Sequence, residues 1–128
     1  EIGPRNGGNL IPQVTRHATG VDMLDYTVKT ALGEDCSDLR MHDVKGYYSS
    51  YMIHSKKDGV YRGVEMSDEL KGNIIEENIY VEPGSFIESY QMAGYALGEM
   101  ILKFESMDEM LHKMDNMDLY CKVLLDGN

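Results

Sequence analysis

Two side chains near the start of the chain, Glu1 and Arg5, are of types that bind metal ions and phosphate groups. A carboxylate can ligate a hard cation such as Mg²⁺, which takes oxygen ligands and often shares them with phosphates. The guanidinium of Arg5 offers a planar fork of donors that suits phosphate or carboxylate oxygens. Gly7 and Gly8 follow, and glycine permits positive φ and a close approach of backbone to ligand. These residue types at this spacing indicate a site for a metal-bound polyphosphate.

The elements on either side must position these residues. If Glu1–Gly3 ends a strand, Glu1 and Gly3 lie on one face, and Pro4 then fixes φ as the chain turns. Downstream, Asp22 is suited to cap a helix that stops at the left-handed residue Gly33. The alternative is an exposed acidic–basic pair beside a flexible glycine loop, and these residue types alone leave both interpretations open.

A longer pattern connects these residues with a known family. The blocks are Glu1–Gly8, Ile11-Pro12, Ala18–Leu24 and Ala31–Glu34. Together they resemble the end of the ATP-binding domain in the ATP-grasp superfamily, which includes carbamoyl-phosphate synthase large subunits, biotin carboxylases, amino-acid ligases and purine-biosynthesis ligases. The ligase-type members are the most similar. The detailed resemblance covers about the first third of the chain, and the remainder resembles the C-terminal domains of these proteins only in outline.

The resemblance implies a role for each site residue. Glu1 matches the acidic residue that coordinates Mg²⁺ at the ATP phosphates, and Arg5 matches the catalytic arginine that contacts phosphate or an acyl phosphate. Gly7 and Gly8 match the loop whose amides meet the substrate carboxylate. Many relatives have an asparagine, a further metal ligand, where this chain has Gly3. That difference favours ligase chemistry over carbamoyl-phosphate chemistry.

The resemblance also implies a division of the chain and a set of partners. Residues 1–38 match the tail end of the ATP-grasp domain, and residues 39–128 match a C-terminal α+β domain. The family's nucleotide-binding lysines, its glycine-rich flap and its other acidic metal ligand precede the equivalent of Glu1. We therefore expect a piece of a larger protein, inactive alone, whose partners are an upstream nucleotide domain of the same chain, a small carboxylate substrate and, in some settings, a second copy.

Composition narrows the class of protein. The chain has 128 residues, 42% of them hydrophobic, and a formal net charge of −10. An acidic chain is a poor partner for nucleic acid or an anionic membrane, because phosphate-bearing surfaces select basic proteins.

Cys36 and Cys121 are far apart in sequence and indicate reduced thiols of a cytoplasmic protein. His17 is the histidine nearest the candidate site, and a packing role is expected for most of the histidines.

The remaining pattern predicts an α+β fold in which a mainly antiparallel sheet of four to six strands has helices packed on one face. Residues 34–45 are predicted to form a linker or crossover, and Lys56–Gly59 predicts a hairpin between strands at 46–55 and 60–65. Further elements are expected as a helical turn at 67–72, strands at 73–82, 96–104 and 118–125, and a helix at 106–117. That helix begins with a capping box and carries a methionine-rich stripe, which is expected to pack in the core.

For the intact protein the resemblance implies ATP-dependent joining of a carboxylate to an amine or ammonia through an acyl phosphate. A different class of function, a non-catalytic interaction or dimerisation domain, stays open. The carboxylase component of a biotin enzyme fits less well, because Arg62 is the only arginine after Arg40.

Overall fold

The computed structural model describes residues 5–127 and contains two small antiparallel sheets with helices packed against them. The predicted α+β class is therefore confirmed, whereas the predicted single sheet is divided into two. The elements in chain order are α1 Ile11–Thr19, α2 Met23–Ala31, β1 Tyr47–Ile53, β2 Gly59–Met66, α3 Asp68–Lys71, β3 Ile74–Ile79, β4 Phe86–Ile87, a 3₁₀ turn Ala93–Tyr95, β5 Gly98–Phe104, α4 Met107–Asp115, α5 Met117–Tyr120 and β6 Cys121–Leu125.

The first sheet, called sheet A, has the strand order β1-β5-β3. Its central strand β5 is buried along most of its length, as expected for the apolar residues that follow Gly98. Helices α1 and α4 both pack against sheet A. A Cβ on Gly98 would lie 2.6 Å from the Asn78 carbonyl oxygen, so the pairing of β5 with β3 requires glycine there.

The second sheet, called sheet B, has the order β4-β2-β6. A bulge between Tyr61 and Gly63 shifts the pairing of β2 with β6. The predicted hairpin between β1 and β2 is wrong, because these strands belong to different sheets. Asp58 accepts a hydrogen bond from the Ser89 amide at 2.6 Å and so ties this turn to a later segment of the chain.

The core lies between the two sheets and includes α3. Its largest fully buried side chains are those of Ile53, Leu70, Met100, Leu102 and Phe104, whereas the equally buried Ile101 lies on the other face of β5. The predicted helical turn is confirmed as α3, where the Ser67 hydroxyl accepts from the Leu70 amide. This cap fixes the turn that carries Leu70 into the core.

Helix α4 is confirmed with its predicted cap, since the Ser106 hydroxyl accepts from the Glu109 amide at 3.1 Å. It ends two residues earlier than predicted, and the short helix α5 precedes β6. Three methionines of the stripe pack on the core as expected, whereas Met107 and Leu111 are about half exposed. The packed members are Met110, Met114 and Met117.

Helix α2 is confirmed as well. The Asp22 carboxylate accepts from the amides of Leu24 and Asp25, and Gly33 adopts φ +73° just after the helix. Residues 34–45 contain no helix or strand, as predicted. No described helix is both long and apolar enough to cross a membrane.

Helix α1 was not predicted. Its first turn has no acidic residue and no side-chain cap, so of the usual signals of a helix start it carries only a proline, Pro12. The hydroxyl groups of Thr15 and Thr19 donate to carbonyls one turn earlier. The helix ends at Gly20, whose φ is +78°.

Candidate functional site

Three of the predicted site residues, Arg5, Gly7 and Gly8, lie on the described segment that leads into α1. Glu1, the expected metal ligand, lies outside the described residues. Arg5 is exposed, and its Nη1 donates to the carbonyl of Asn6 at 2.9 Å. Because no described carboxylate pairs with Arg5, most of its guanidinium donors face solvent and can bind an anion.

Asn6 fixes this segment against α2. Its Nδ2 donates to the Thr27 hydroxyl at 2.6 Å and lies 3.3 Å from the Met23 carbonyl oxygen. Arg5 and Asn6 thereby form one wall of a groove of about 440 Å³, whose other wall is the Met23–Ala31 helix together with Leu39. Asn6 was not among the predicted site residues.

Gly7 and Gly8 have different reasons to be glycine. A Cβ on Gly7 would lie 2.8 Å from the Ile11 side chain, whereas a Cβ on Gly8 would meet open space. The left-handed backbone expected of the glycines occurs instead at the next two residues, with φ +54° at Asn9 and +64° at Leu10. A left-handed conformation at a leucine costs about 1–2 kcal/mol, and such strain is concentrated at functional segments.

The start of α1 is a place for an anion. No described residue accepts a hydrogen bond from the amides of Gly7, Gly8, Asn9 or Leu10, and no side chain caps the helix. A helix N-terminus carries a partial positive charge, which adds to the charge of Arg5. In a chain of net charge −10, this combination of free amides and a guanidinium forms a local positive region that fits a carboxylate or phosphate.

His17 lies on α1 but has a structural partner away from the groove. Its Nε2 and the Glu76 Oε1 are 2.6 Å apart, and its ring stacks on Tyr48 with centroids separated by 5.9 Å. These contacts join α1 to β3 and β1. His17 therefore orients the helix that follows the glycine pair.

The described residues do not supply a metal centre. Across residues 5–127, no group of three His, Cys, Asp or Glu side chains is arranged to hold a metal ion. Cys36 and Cys121 are free thiols, and burial raises the pKa of Cys121 to about 11. The Tyr26 hydroxyl near the groove donates to Asp38 at 2.8 Å, a bond that raises the pKa of Tyr26.

An apolar stripe lies exposed on α2, the helix that we expected to pack at the edge toward the nucleotide domain. Leu24, Val28 and Leu32 are spaced by four residues and are 46%, 58% and 70% exposed, and α2 has no buried residue. Residues spaced in this way share one face of a helix. Contiguous apolar surface of this kind marks interaction sites, so this face is a candidate interaction surface.

The fold resembles a portion of the ATP-grasp enzymes, the class whose motifs the sequence also resembles. L-amino acid ligase from Bacillus licheniformis matches with a TM-score of 0.78 and 18% identity, over 98% of this chain and 32% of that protein. Phosphoribosylglycinamide synthetase from Anaerococcus prevotii matches with a TM-score of 0.70 and 19% identity, over 94% of this chain and 31% of the synthetase.

A third similar structure comes from Hydrogenobacter thermophilus. It is the biotin carboxylase domain dimer of 2-oxoglutarate carboxylase in complex with MgADP, ADP and bicarbonate. It matches with a TM-score of 0.57 and 16% identity, over 90% of this chain and 26% of that protein.

Sequence comparison gives no corresponding match, since neither a family model nor a curated protein matches the chain. Identities of 16–19% establish a likeness of fold alone. The chain spans between a quarter and a third of the length of these three structures. The ATP-grasp resemblance is thus confirmed at the level of the fold.

Proposed function

We propose that this chain is the C-terminal part of an ATP-dependent carboxylate–amine ligase. The observation that carries the proposal is the similarity of nearly the whole chain to the L-amino acid ligase structure at a TM-score of 0.78. The Arg5 groove supports it, because an exposed arginine lies on the segment that leads into the uncapped start of α1. A cytoplasmic location belongs to the same proposal.

In this proposal the γ-phosphoryl group of ATP is transferred to a substrate carboxylate, which gives an acyl phosphate and ADP. An amine or ammonia then attacks the acyl carbon, and inorganic phosphate leaves. Arg5 binds the phosphate oxygens and stabilises the charge that develops on them. The amides of Gly7 and Gly8 donate to the substrate carboxylate, which needs the close approach that glycine permits.

The described residues are better suited to binding phosphate groups than to binding Mg²⁺. Their free amides and guanidinium bind phosphate, whereas Mg²⁺ requires oxygen ligands. We assign the Mg²⁺ ligand in this chain to Glu1, and the other ligands to the upstream nucleotide domain. Mg²⁺ supplies charge neutralisation at the ATP phosphates when it is bound.

The division of the chain at residue 38 is part of the proposal. Residues 5–38 contain both of the helices α1 and α2 and all of the groove residues except Leu39. The segment 34–45, without helix or strand, connects the helices to the two sheets. The exposed stripe Leu24, Val28 and Leu32 has the apolar character needed to pack against the upstream nucleotide domain.

Substitution of Arg5 in the full-length protein tests the role of the groove. We expect Arg5→Ala to lower the rate of amino-acid-dependent phosphate release from ATP about 100-fold. Arg5→Lys keeps the charge but loses the planar fork, so a smaller loss of about tenfold is expected. Arg62→Lys is the matched control, because Arg62 pairs with Asp126 at the end of sheet B.

Three results would contradict this proposal. They are equal rates for the Arg5 and Arg62 variants, undiminished release by Glu1→Gln, and no carboxylate-dependent release by the wild-type protein with any of the common L-amino acids.

The alternative, an interaction or dimerisation domain, is favoured by the exposed stripe on α2. Val28→Glu in the full-length protein separates the two functions. If the stripe packs within one chain, the substitution lowers the unfolding temperature and leaves the sedimentation coefficient unchanged. If the stripe joins two copies, the substitution converts a dimer into a monomer. Thr27→Glu is unsuitable as a control because Thr27 bonds to Asn6, whereas the exposed Lys103→Glu on sheet A is suitable.

A further inference from the structure

The free edge of sheet B has the features of a docking site for a peptide. Strand β6 is the outer strand of that sheet, and none of the described strands pairs with its other edge. The Ser67 amide donates to the Tyr120 carbonyl, and the Asp126 amide donates to the Val60 carbonyl, both at 2.9 Å. Antiparallel pairing alternates along a strand, so residues 120, 122, 124 and 126 are turned toward β2.

Residues 121, 123 and 125 of β6 are turned away from β2. The N–H and C=O groups of Val123 and Leu125, together with the C=O of Cys121, point away from β2 toward the free edge. The Cys121 amide is used, since it donates to the Met117 carbonyl. An unpaired row of this kind can receive another extended strand.

A groove of about 300 Å³ runs beside this edge, between β6 and the end of β1. Its apolar floor includes Ile53, Cys121 and Leu125, which are buried. We name it the β6 groove. The floor suits the alternate apolar side chains of an extended peptide, because successive side chains of a strand point to opposite faces.

The rim of the β6 groove is positively charged. Lys56, Lys57 and Lys122 line it with a single carboxylate, that of Asp118. Lys56 pairs with Asp118, and both side chains are about two-thirds exposed, so the pair can exchange partners with a ligand. The rim is therefore positively charged although the whole chain has a net charge of −10. It selects a negatively charged partner.

One hydroxyl group adds to this selectivity. The Tyr51 side chain lines the groove, and its hydroxyl donates to none of the described residues. Burial raises the pKa of Tyr51 to about 12, so the phenol keeps its proton and remains a donor for a carboxylate.

We propose that the β6 groove binds an extended acidic peptide segment, which adds as a strand to the free edge of β6. The backbone groups of Val123 and Leu125 pair with the peptide, and the three lysines of the rim attract its acidic side chains. A second copy of this chain is a poorer occupant, because it brings the same three lysines to the same edge. The proposal is independent of the ligase reaction and of the Arg5 groove.

Fluorescence anisotropy with the full-length protein tests the proposal. The probe is a fluorescein-labelled octapeptide of alternating valine and glutamate. Three control peptides are the valine–lysine octapeptide, the valine–glutamate octapeptide with N-methyl groups on alternate amides, and the same eight residues of the probe in blocks of four valines and four glutamates. We expect saturable binding of the probe alone, and binding that weakens as salt rises.

Two substitutions locate the site. Lys57→Glu reverses one rim charge whose side chain pairs with none of the described residues, and we expect about fivefold weaker binding. Val123→Pro removes one edge N–H without touching the pairing with β2 and should abolish binding. Lys103→Glu, an exposed lysine on sheet A, is the matched control and should bind as the wild type does. Lys122 is left unchanged because it lies opposite Glu65.

Several results overturn the proposal. Equal binding of the N-methylated peptide would show attraction of charge without strand pairing. Equal binding by Lys57→Glu and Lys103→Glu would place the peptide elsewhere, and equal binding of the lysine peptide would remove the role of the rim. Absence of peptide binding together with concentration-dependent sedimentation would assign the edge to a second copy. The Val123→Pro result counts only if the circular dichroism spectrum of this variant matches that of the wild type. If it does not match, the comparison of Lys57→Glu with Lys103→Glu tests the proposal.

Discussion

We predict that Glu109→Gln lowers the free energy of unfolding by about 1–2 kcal/mol at pH 7. One Glu109 oxygen accepts from Lys113 at 2.8 Å and from the Asn73 amide group at 3.1 Å. The other oxygen accepts from the Glu105 backbone amide at 2.8 Å. These bonds join α4 to the end of β5 and the start of β3. Glutamine has the shape of glutamate but carries no charge. Its amide NH₂ group would also face groups that donate hydrogen bonds to the carboxylate.

The structure gives the magnitude and its dependence on pH. The hydrogen bond from Lys113, then those from Glu105 and Asn73, lower the pKa of Glu109 to about 2 from an ordinary value of 4.5. A lowering of that size corresponds to at most about 3 kcal/mol. The Glu109 side chain is 27% exposed, and solvent screening reduces the figure to about 1–2 kcal/mol.

The sign follows from the direction of the shift. The folded state binds the proton of Glu109 more weakly than the unfolded state does. The stabilisation is therefore fully present above about pH 4.5 and is lost as the pH falls toward 2. The difference between wild type and Glu109→Gln should shrink over the same range.

Urea unfolding followed by circular dichroism between pH 7 and pH 2 measures this difference. Glu88→Gln is the control, because Glu88 is exposed and forms no ion pair within residues 5–127. The reasoning is refuted if Glu109→Gln and Glu88→Gln unfold at the same urea concentration at pH 7. It is also refuted if the loss caused by Glu109→Gln stays constant down to pH 2.

Three further predictions concern packing and thiol chemistry. Gly98→Ala should destabilise the protein by about 1–3 kcal/mol in urea unfolding, because the new methyl group meets the Asn78 carbonyl and the Ile79 side chain; an unchanged midpoint would disprove this. Leu70→Ala should cost about 2–5 kcal/mol, since Leu70 is fully buried, and a cost below 1 kcal/mol would contradict the assigned core. At pH 8 a thiol reagent should modify Cys36 well before the buried Cys121, and the reverse order in a mass-spectrometric time course would count against the structure.

Much of the local structure was predictable because its signals are local. Capping residues and a left-handed glycine define α2, and a capping box defines α4, so both helices begin where the sequence indicated. The strand pairing was not predictable in the same way. Asp58 and Gly59 signal a hairpin, but the buried strand β5 takes β1 as its neighbour and Asp58 bonds to Ser89. Long-range packing outweighed a two-residue turn signal.

The candidate site could be predicted by residue type but only in part by geometry. Arg5 was expected beside the glycine pair, and the structure places it in a groove against α2. The helix after the glycines escaped detection because Leu10 cannot cap it and its threonines are poor helix formers. The resemblance supplied the roles of Glu1, Gly7 and Gly8, and these remain predictions.

The attachment of α1 to sheet A has a consequence for how distant changes reach the groove. His17 bonds to Glu76 and stacks on Tyr48, while the Lys45 amide donates to the Ala18 carbonyl at 2.7 Å. A tilt of the sheet would therefore be transmitted along the helix axis to the amides at its first turn. In the ligase that we propose, a substitution on strand β3 would then alter the amides that precede α1 without contacting the substrate.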